Sequence, residues 1–183
     1  MQATDILIRE HDLILRGIRV LEAMARLANA ATPVPESDAR AIIEFIRKFA
    51  DGSHHAKEEG VLFPAMEAFG IPNQGGPIGM MLIEHEQGRA AVRKMDEAVS
   101  AFGTGPAALE AFSQAAFEYS TLLSNHIFKE NNVLFRMADQ RIPTAQDAVM
   151  VAAYGEHEAK VSATGAYERY QTVVEALEAK YGG

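Results

Sequence analysis

Apolar residues recur at steps of three and four along most of the chain, with charged residues between them, which predicts amphipathic helices. In the first such stretch Leu7, Ile14 and Leu21 lie on one stripe, while Asp12 and Arg16 lie off it. Four long helices are predicted, over residues 3–30, 37–69, 77–102 and 106–139. No stretch shows the alternating pattern of a strand, so the chain is predicted to be all-α.

The connections predict how these helices are arranged. Breaker residues end the first helix at 31–35 and form a long loop at 70–77. A further helical segment can begin at Thr144, although its apolar pattern is weak at first. These features predict an up-down-up-down four-helix bundle over residues 1–140, with a C-terminal helical extension over residues 141–183 packed on it.

Two stretches of the chain repeat each other. One begins at His54 and the other at His126, both read H-x-x-K-E-x-x-V-L-F, and Glu58 aligns with Glu130. On a helix, a His and a Glu four residues apart share one face, about one turn from each other. At this spacing an imidazole and a carboxylate can bind the same metal ion or neighbouring ions.

Two more histidines face the interior of the predicted bundle. His11 lies on the apolar stripe of the first helix, and His85 lies about one turn after Met81 and Leu82. A single histidine in such a position is more often an ordinary core residue than a metal ligand. Whether these histidines are ligands therefore depends on whether they meet the repeated pairs.

Chain distances predict that they do meet. His11 and His54 are about equally far from the first turn, and His85 and His126 are about equally far from the turn at 103–105, so each pair lies level in a bundle. The link between the second and third helices is less regular, because His54 is about twice as far from the loop at 70–77 as His85 is.

The residues predicted to meet are His11, His54, Glu58, His85, His126 and Glu130. Burying this polar set without a metal ion would be costly. Two carboxylates and several imidazoles inside a four-helix bundle are the ligands of a di-iron or di-manganese site. The chain has no cysteine, so only nitrogen and oxygen ligands are available.

This pattern resembles the hemerythrin-like (HHE cation-binding) family. The resemblance covers roughly residues 4–140 and is carried by His11, His54-x-x-x-Glu58, Glu84-His85-Glu86 and His126-x-x-x-Glu130. It implies a four-helix bundle that holds two iron ions, bridged by two carboxylates and an oxo or hydroxo group. It also implies a small ligand, since members of the family bind O2, sense O2, NO or iron, or handle peroxide and iron.

The chain departs from the oxygen-carrying hemerythrins in two places. Those proteins have two histidines four residues apart on the third helix, whereas here His85 is flanked at that spacing by Met81 and Arg89. Their fourth-helix motif ends in an aspartate at a spacing of five, whereas this chain has Glu130 at a spacing of four. The usual set of five histidines and two carboxylates is therefore one histidine short.

Three candidates can fill the missing position. His55 follows a predicted ligand directly and lies near the edge of the inward face, and some iron-sensing relatives place a ligand there. His157 lies on the C-terminal segment and could fold back over the site, and water is the third candidate. We favour His55, and we expect Glu59 to lie outside the ligand set.

Composition excludes several other classes of protein. The formal net charge of −8 and the absence of a basic cluster argue against nucleic-acid binding. Charged residues in the first dozen positions do not fit a signal peptide, and no apolar run is long enough for a transmembrane helix. The cytoplasm is the default location.

The function that we favour is a di-iron protein that binds or senses O2, NO or a related small oxidant. The alternatives are a di-iron enzyme that decomposes peroxide or reduces O2 or NO, and a protein of iron storage, delivery or repair. An interaction protein with structural His and Glu residues is the fourth possibility. The sequence does not fix the metal, because such ligands also accept manganese or zinc.

Overall fold

The computed structural model describes residues 1–161 and 165–182, and these residues form helices and turns without a strand. The all-α prediction is confirmed. Residues 162–164 and 183, which belong to the predicted C-terminal extension, lie outside the described residues. No helix in the described parts of the chain combines the length and the apolar character needed to cross a membrane.

The helices have the following bounds. The α-helices are α1 (Gln2–Asn29), α2 (Glu36–Phe45), α3 (Phe63–Ala68), α4 (Pro77–Ser100), α5 (Pro106–Lys129), α6 (Phe135–Arg141), α7 (Thr144–Val161) and α8 (Ala166–Tyr181). A short 3₁₀ turn, Phe102–Thr104, precedes α5. Pro77 and Pro106 stand at the first positions of α4 and α5, where the missing N–H of proline costs nothing.

Two of the predicted long helices depart from α geometry in their middle. Residues 36–68 form a continuous helical stretch in which Ile46–His55 and Glu58–Leu62 are π-helical. Residues 106–141 form another, in which Glu130–Leu134 is π-helical. Wide turns of this kind are rare and often mark functional sites, and here they coincide with the two repeated motifs.

The apolar core consists of two clusters with a polar layer between them. One cluster contains Leu21, Phe49 and Met95, and the other contains Leu7 and Phe63. Along each long helical stretch, the candidate His and Glu residues come between the residues of one cluster and those of the other. The polar layer is therefore sealed by apolar side chains on both sides.

Close helix contacts hold this layer. α1 packs on α5 and α2, and α4 packs on α5 and α2. At Gly17 an added Cβ would lie 2.3 Å from Cε1 of Phe45, so only glycine allows this approach of α1 to α2. The valine of the second repeated motif, Val133, is not part of the core, since it is 52% exposed.

The C-terminal helices lie against this assembly. α7 contacts α1 and both π-helical segments of residues 36–68, and α8 contacts α1 and α2. At the far end of α8, Lys180 and Tyr181 both donate to the carboxylate of Asp38 at the start of α2.

Candidate metal centre

The structure brings all seven predicted ligand residues together. Each is at most 4% exposed. They form two groups that share Glu58, and within each group one ligand atom from every residue lies within 4.8 Å of the others. The first group is His11, His54, Glu58 and Glu130, and the second is His55, Glu58, His85 and His126.

Each of the two carboxylates faces both groups. Glu58 directs Oε1 to Nε2 of His54 and Oε2 to Nε2 of His85, both at 3.5 Å. Glu130 directs Oε2 to Nε2 of His11 at 3.2 Å and Oε1 to Nε2 of His126 at 3.3 Å. This is the arrangement that two carboxylates need to bridge two ions.

The separations of the ligand atoms fit metal ions. Two ligand atoms that each lie about 2.1 Å from one ion, at right angles to each other, are about 3.0 Å apart. Nε2 of His85 and Nε2 of His126 are 3.0 Å apart. The ring of His55 stacks on that of His85 with their centroids 3.7 Å apart, which places the third imidazole of this group beside them.

Every one of the five imidazoles is oriented by an acceptor at its Nδ1. The pairs are His11 with Asn131 at 2.8 Å, His54 with Glu10 at 2.9 Å, His55 with Asp51 at 3.3 Å, His85 with Glu59 at 2.7 Å and His126 with Glu84 at 2.9 Å. The four carboxylates and the amide oxygen of Asn131 accept at these positions, so in a neutral ring Nδ1 carries the proton and Nε2 keeps a lone pair. Metal-binding histidines are typically fixed in this way.

Several acceptor atoms at the centre of the site have no hydrogen-bond donor. Nε2 of His11 and all four carboxylate oxygens of Glu58 and Glu130 are buried and lack a hydrogen-bond partner among the described residues. His11 and Glu130 approach closely, but with Nδ1 of His11 donating to Asn131, both facing atoms are acceptors. Such a cluster of buried acceptors is unfavourable by itself and is satisfied by cations.

Burial also sets the protonation of the centre. It lowers the pKa of His54 and of His55 well below the usual value, so both rings are neutral, as ligands must be. Burial and the neighbouring Glu130 raise the pKa of Glu58 well above its usual value. For Glu130, burial is outweighed by His126, and its pKa is well below the usual value. The pKa of His126 is raised in turn, because Glu130 and Glu84 outweigh its own burial.

Cations lie behind most of the outer acceptors. Lys57 binds Glu10, the acceptor of His54, and Lys129 binds Glu84, the acceptor of His126. These lysines occupy the same position in the two repeats, so the lysine in H-x-x-K-E secures the carboxylate that orients the histidine of its own motif.

Arg89 serves the remaining two acidic acceptors. It donates to Asp51 at 2.8 Å and to Glu59 at 2.7 Å, the acceptors of His55 and His85. Arg89 therefore supports the acceptors of two stacked imidazoles of the second group. Glu59 is not part of either group of possible ligand atoms.

The outer contacts follow one rule in both halves of the site. The motif histidines His54 and His126 are oriented by a Glu in their own half, residues 2–68 or 77–141. The other two are oriented from the opposite half, His11 by Asn131 and His85 by Glu59. Glu59 and Asn131 occupy the same position in the two repeats, so each half of the chain orients a histidine of the other half from the same motif position. His55 is the exception to this symmetry, because the corresponding residue of the second repeat is Ile127.

The seven candidate ligands were predicted from the sequence, but most of their outer partners were not, namely Glu10, Asp51, Lys57, Glu84, Lys129 and Asn131. Two signals were available. The repeated motif includes the lysine, and the dipeptide Glu-His occurs both at His11 and at His85. His157 is not part of either group of ligand atoms, and its Nε2 is buried without a partner among the described residues.

A cavity of about 190 Å³ reaches the outer side of this buried centre at His55. Its wall includes Gly88, Val92 and Tyr119, and Arg47 and Arg93 also line it. This cavity therefore offers a small molecule an approach to the three-histidine group.

Comparison with known families gives one finding. The family model described as Hemerythrin HHE cation binding domain matches residues 2–138, which include all seven ligand candidates. Comparison with curated proteins and with solved structures finds no match.

Proposed function

Because the chain belongs to the hemerythrin HHE cation-binding family, we propose that it is a non-haem di-iron protein that binds or senses O2, NO or a related small oxidant. In this proposal residues 1–140 are an up-down-up-down four-helix bundle, and residues 141–183 are an extension packed on it. The metal-binding character follows from the family and from the two His/Glu groups. The identity of the metal and of the small ligand is the proposal.

One observation carries it: five buried imidazoles and two buried carboxylates converge in two neighbouring groups, where Nε2 of His11 and all four carboxylate oxygens lack a hydrogen-bond partner among the described residues. His11 and His54 would hold one ion, and His55, His85 and His126 the other. Glu58 and Glu130 would bridge them, since each faces both groups. Nitrogen-rich sites with carboxylate bridges suit iron.

The two groups are unequal in a way that supports ligand binding. One ion would have three imidazoles and the other only two, so the second has room for an added ligand. Two iron ions would supply redox-active coordination positions for a small oxidant. The chain's own residues fix the imidazole tautomers, exclude water with apolar clusters on both sides, and hold a compensating outer shell of charge.

The test is metal content together with the optical spectrum after anaerobic loading with Fe(II). We expect two iron ions per chain, and an absorption change on adding O2 or NO that reverses when the gas is removed. His54→Ala and His126→Ala should each lose iron. His157→Ala is the matched control, because this histidine lies outside both groups, and it should keep both ions.

Other outcomes separate the alternatives. Unchanged iron content in both alanine variants, or no iron in the wild type, contradicts the proposal. Rapid oxygen evolution from added peroxide would identify an enzyme instead. Transfer of iron to a chelator within minutes would identify a storage or delivery protein.

A further inference from the structure

The C-terminal helix α7 reaches the metal centre, although it lies beyond the residues that match the family. Its inward face is built from Asp147, Met150, Tyr154 and Glu158, at helical spacings of three and four. Met150 and Tyr154 are buried in the apolar cluster on one side of the centre. Glu158 then stands at the end of this face, 2.5 Å from Nζ of Lys57.

The position of α7 is fixed at its other end as well. The carboxylate of Asp147 accepts from the backbone N–H groups of Gln2 and Ala3, both at 2.9 Å. N–H groups in the first turn of a helix have no acceptor within the helix, and a carboxylate is favoured at this end. With Asp147 on α1 and two buried side chains between, the register of α7 is set, and Glu158 reaches Lys57 as part of a docked helix.

Lys57 needs this second carboxylate. It is fully buried, and its partner Glu10 also accepts from Nδ1 of His54. A buried ammonium that relied on Glu10 alone would draw the charge of that carboxylate away from the imidazole. With Glu158 on its other side, Lys57 is neutralised by two carboxylates, and Glu10 keeps negative charge for His54.

The second repeat shows what happens without such a helix. Lys129 pairs with Glu84 in the same way, but its side chain is 40% exposed and solvent can serve its remaining protons. Among the described residues, Glu84 is the carboxylate that pairs with it. Glu158 therefore accepts from the ammonium of Lys57, as water does from the exposed ammonium of Lys129.

We propose that Glu158 is a positioning residue of the metal centre, which acts through Lys57 and Glu10 on His54 and so on the ion held by His11 and His54. This proposal rests on the proposed function. It makes the C-terminal extension a part of the centre rather than an appended element. The negative charge of Glu158 also favours the more oxidised, more positive state of that ion.

The test compares Glu158→Gln with Glu156→Gln in the full chain loaded with Fe(II). Glu156 is the matched control, since it is exposed on the same helix. Transfer of iron to a chelator should show two phases, one per ion. In Glu158→Gln one phase should accelerate about tenfold. This is the lower end of the effects seen when a residue that hydrogen-bonds a metal ligand is replaced. The reduction potential should shift to more positive values, which a purely structural role would not produce.

The remaining outcomes are equally decisive. Glu158→Asp keeps the charge on a shorter side chain and should fall between the wild type and Glu158→Gln. The inference is wrong if Glu158→Gln matches Glu156→Gln, or if both phases accelerate equally, which would indicate general loosening of α7. A wild type that binds two ions while Glu158→Gln is unaltered refutes the inference alone, whereas a wild type that binds none refutes the proposed function with it.

Discussion

At the scale of single residues, Lys57 and Lys129 show how far one motif position can diverge in environment. Both orient the carboxylate behind a motif histidine, but Lys57 is fully buried between two carboxylates and Lys129 is partly in solvent. Removing one partner of a buried pair leaves an uncompensated charge, which costs about 3–5 kcal/mol, whereas exposed pairs contribute about 1 kcal/mol or less.

We therefore expect Lys57→Met to lower the free energy of unfolding by about 3 kcal/mol or more, and Lys129→Met by about 1 kcal/mol or less. The measurement is urea unfolding of the metal-free protein, so that loss of metal does not enter the comparison. Equal losses in the two variants would show that the burial of Lys57 between Glu10 and Glu158 does not raise the cost of removing its charge.

The grouping of the seven candidate ligands could be predicted from the sequence, because a repeated His/Glu spacing on amphipathic helices leaves few other interpretations. The outer acceptors could not. Glu10 follows Arg9 and precedes His11, and nothing in an apolar period distinguishes a buried glutamate there from a solvated one. Asn131 orients His11 from a different part of the chain, and such a contact depends on packing between helices.

At the scale of elements, the apolar period predicted the helices but not their internal geometry. The predicted stretch 37–69 is helical as far as Ala68, including Gly52 and Pro64, yet much of it is π-helical. The apolar period is averaged over many residues, so it does not distinguish a single π-helical turn from an α-helical one. The wide turns fall at His54 and Glu130, in the two repeated motifs, and turns of this kind often occur at functional sites.

The contact between α8 and α2 gives a prediction for pH. The Tyr181 hydroxyl and the Lys180 ammonium hold the pKa of Asp38 below its usual value. A depressed pKa means that the ionised carboxylate stabilises the fold above its unfolded pKa of about 3.9, and that this stability is lost as the pH falls through the folded value.

Asp38→Asn should therefore lower the free energy of unfolding by about 1 kcal/mol at pH 7, in line with the net contribution of a typical hydrogen bond. The difference between the variant and the wild type should shrink as the pH falls below about 4. Thermal unfolding followed by circular dichroism across pH 3–7 measures it. A difference that stays constant over this range would show that the carboxylate charge plays no part in holding α8.

At the scale of the whole molecule, the uncertain point in the sequence was the path between the second and third helices. Counting residues from the loop at 70–77 predicted different positions along the helix axes for His54 and His85. The path of the loop itself could not be predicted, because it has no regular apolar pattern. In the structure His85 reaches Glu58 and stacks on His55, so the loop takes up the difference. Helix heights follow from counting, whereas loop paths do not.

The sharing of ligands between the two halves of the chain has a consequence for folding kinetics. Each group takes ligands from both residues 2–68 and residues 77–141, so neither half offers a complete site before the two have docked. Interactions that form after the rate-limiting step slow unfolding and leave the folding rate unchanged. Stopped-flow unfolding of the iron-loaded and metal-free protein should therefore differ, while their refolding rates at low iron should agree. Bound ions would slow unfolding, so the lifetime of the folded protein in a cell would depend on the supply of metal.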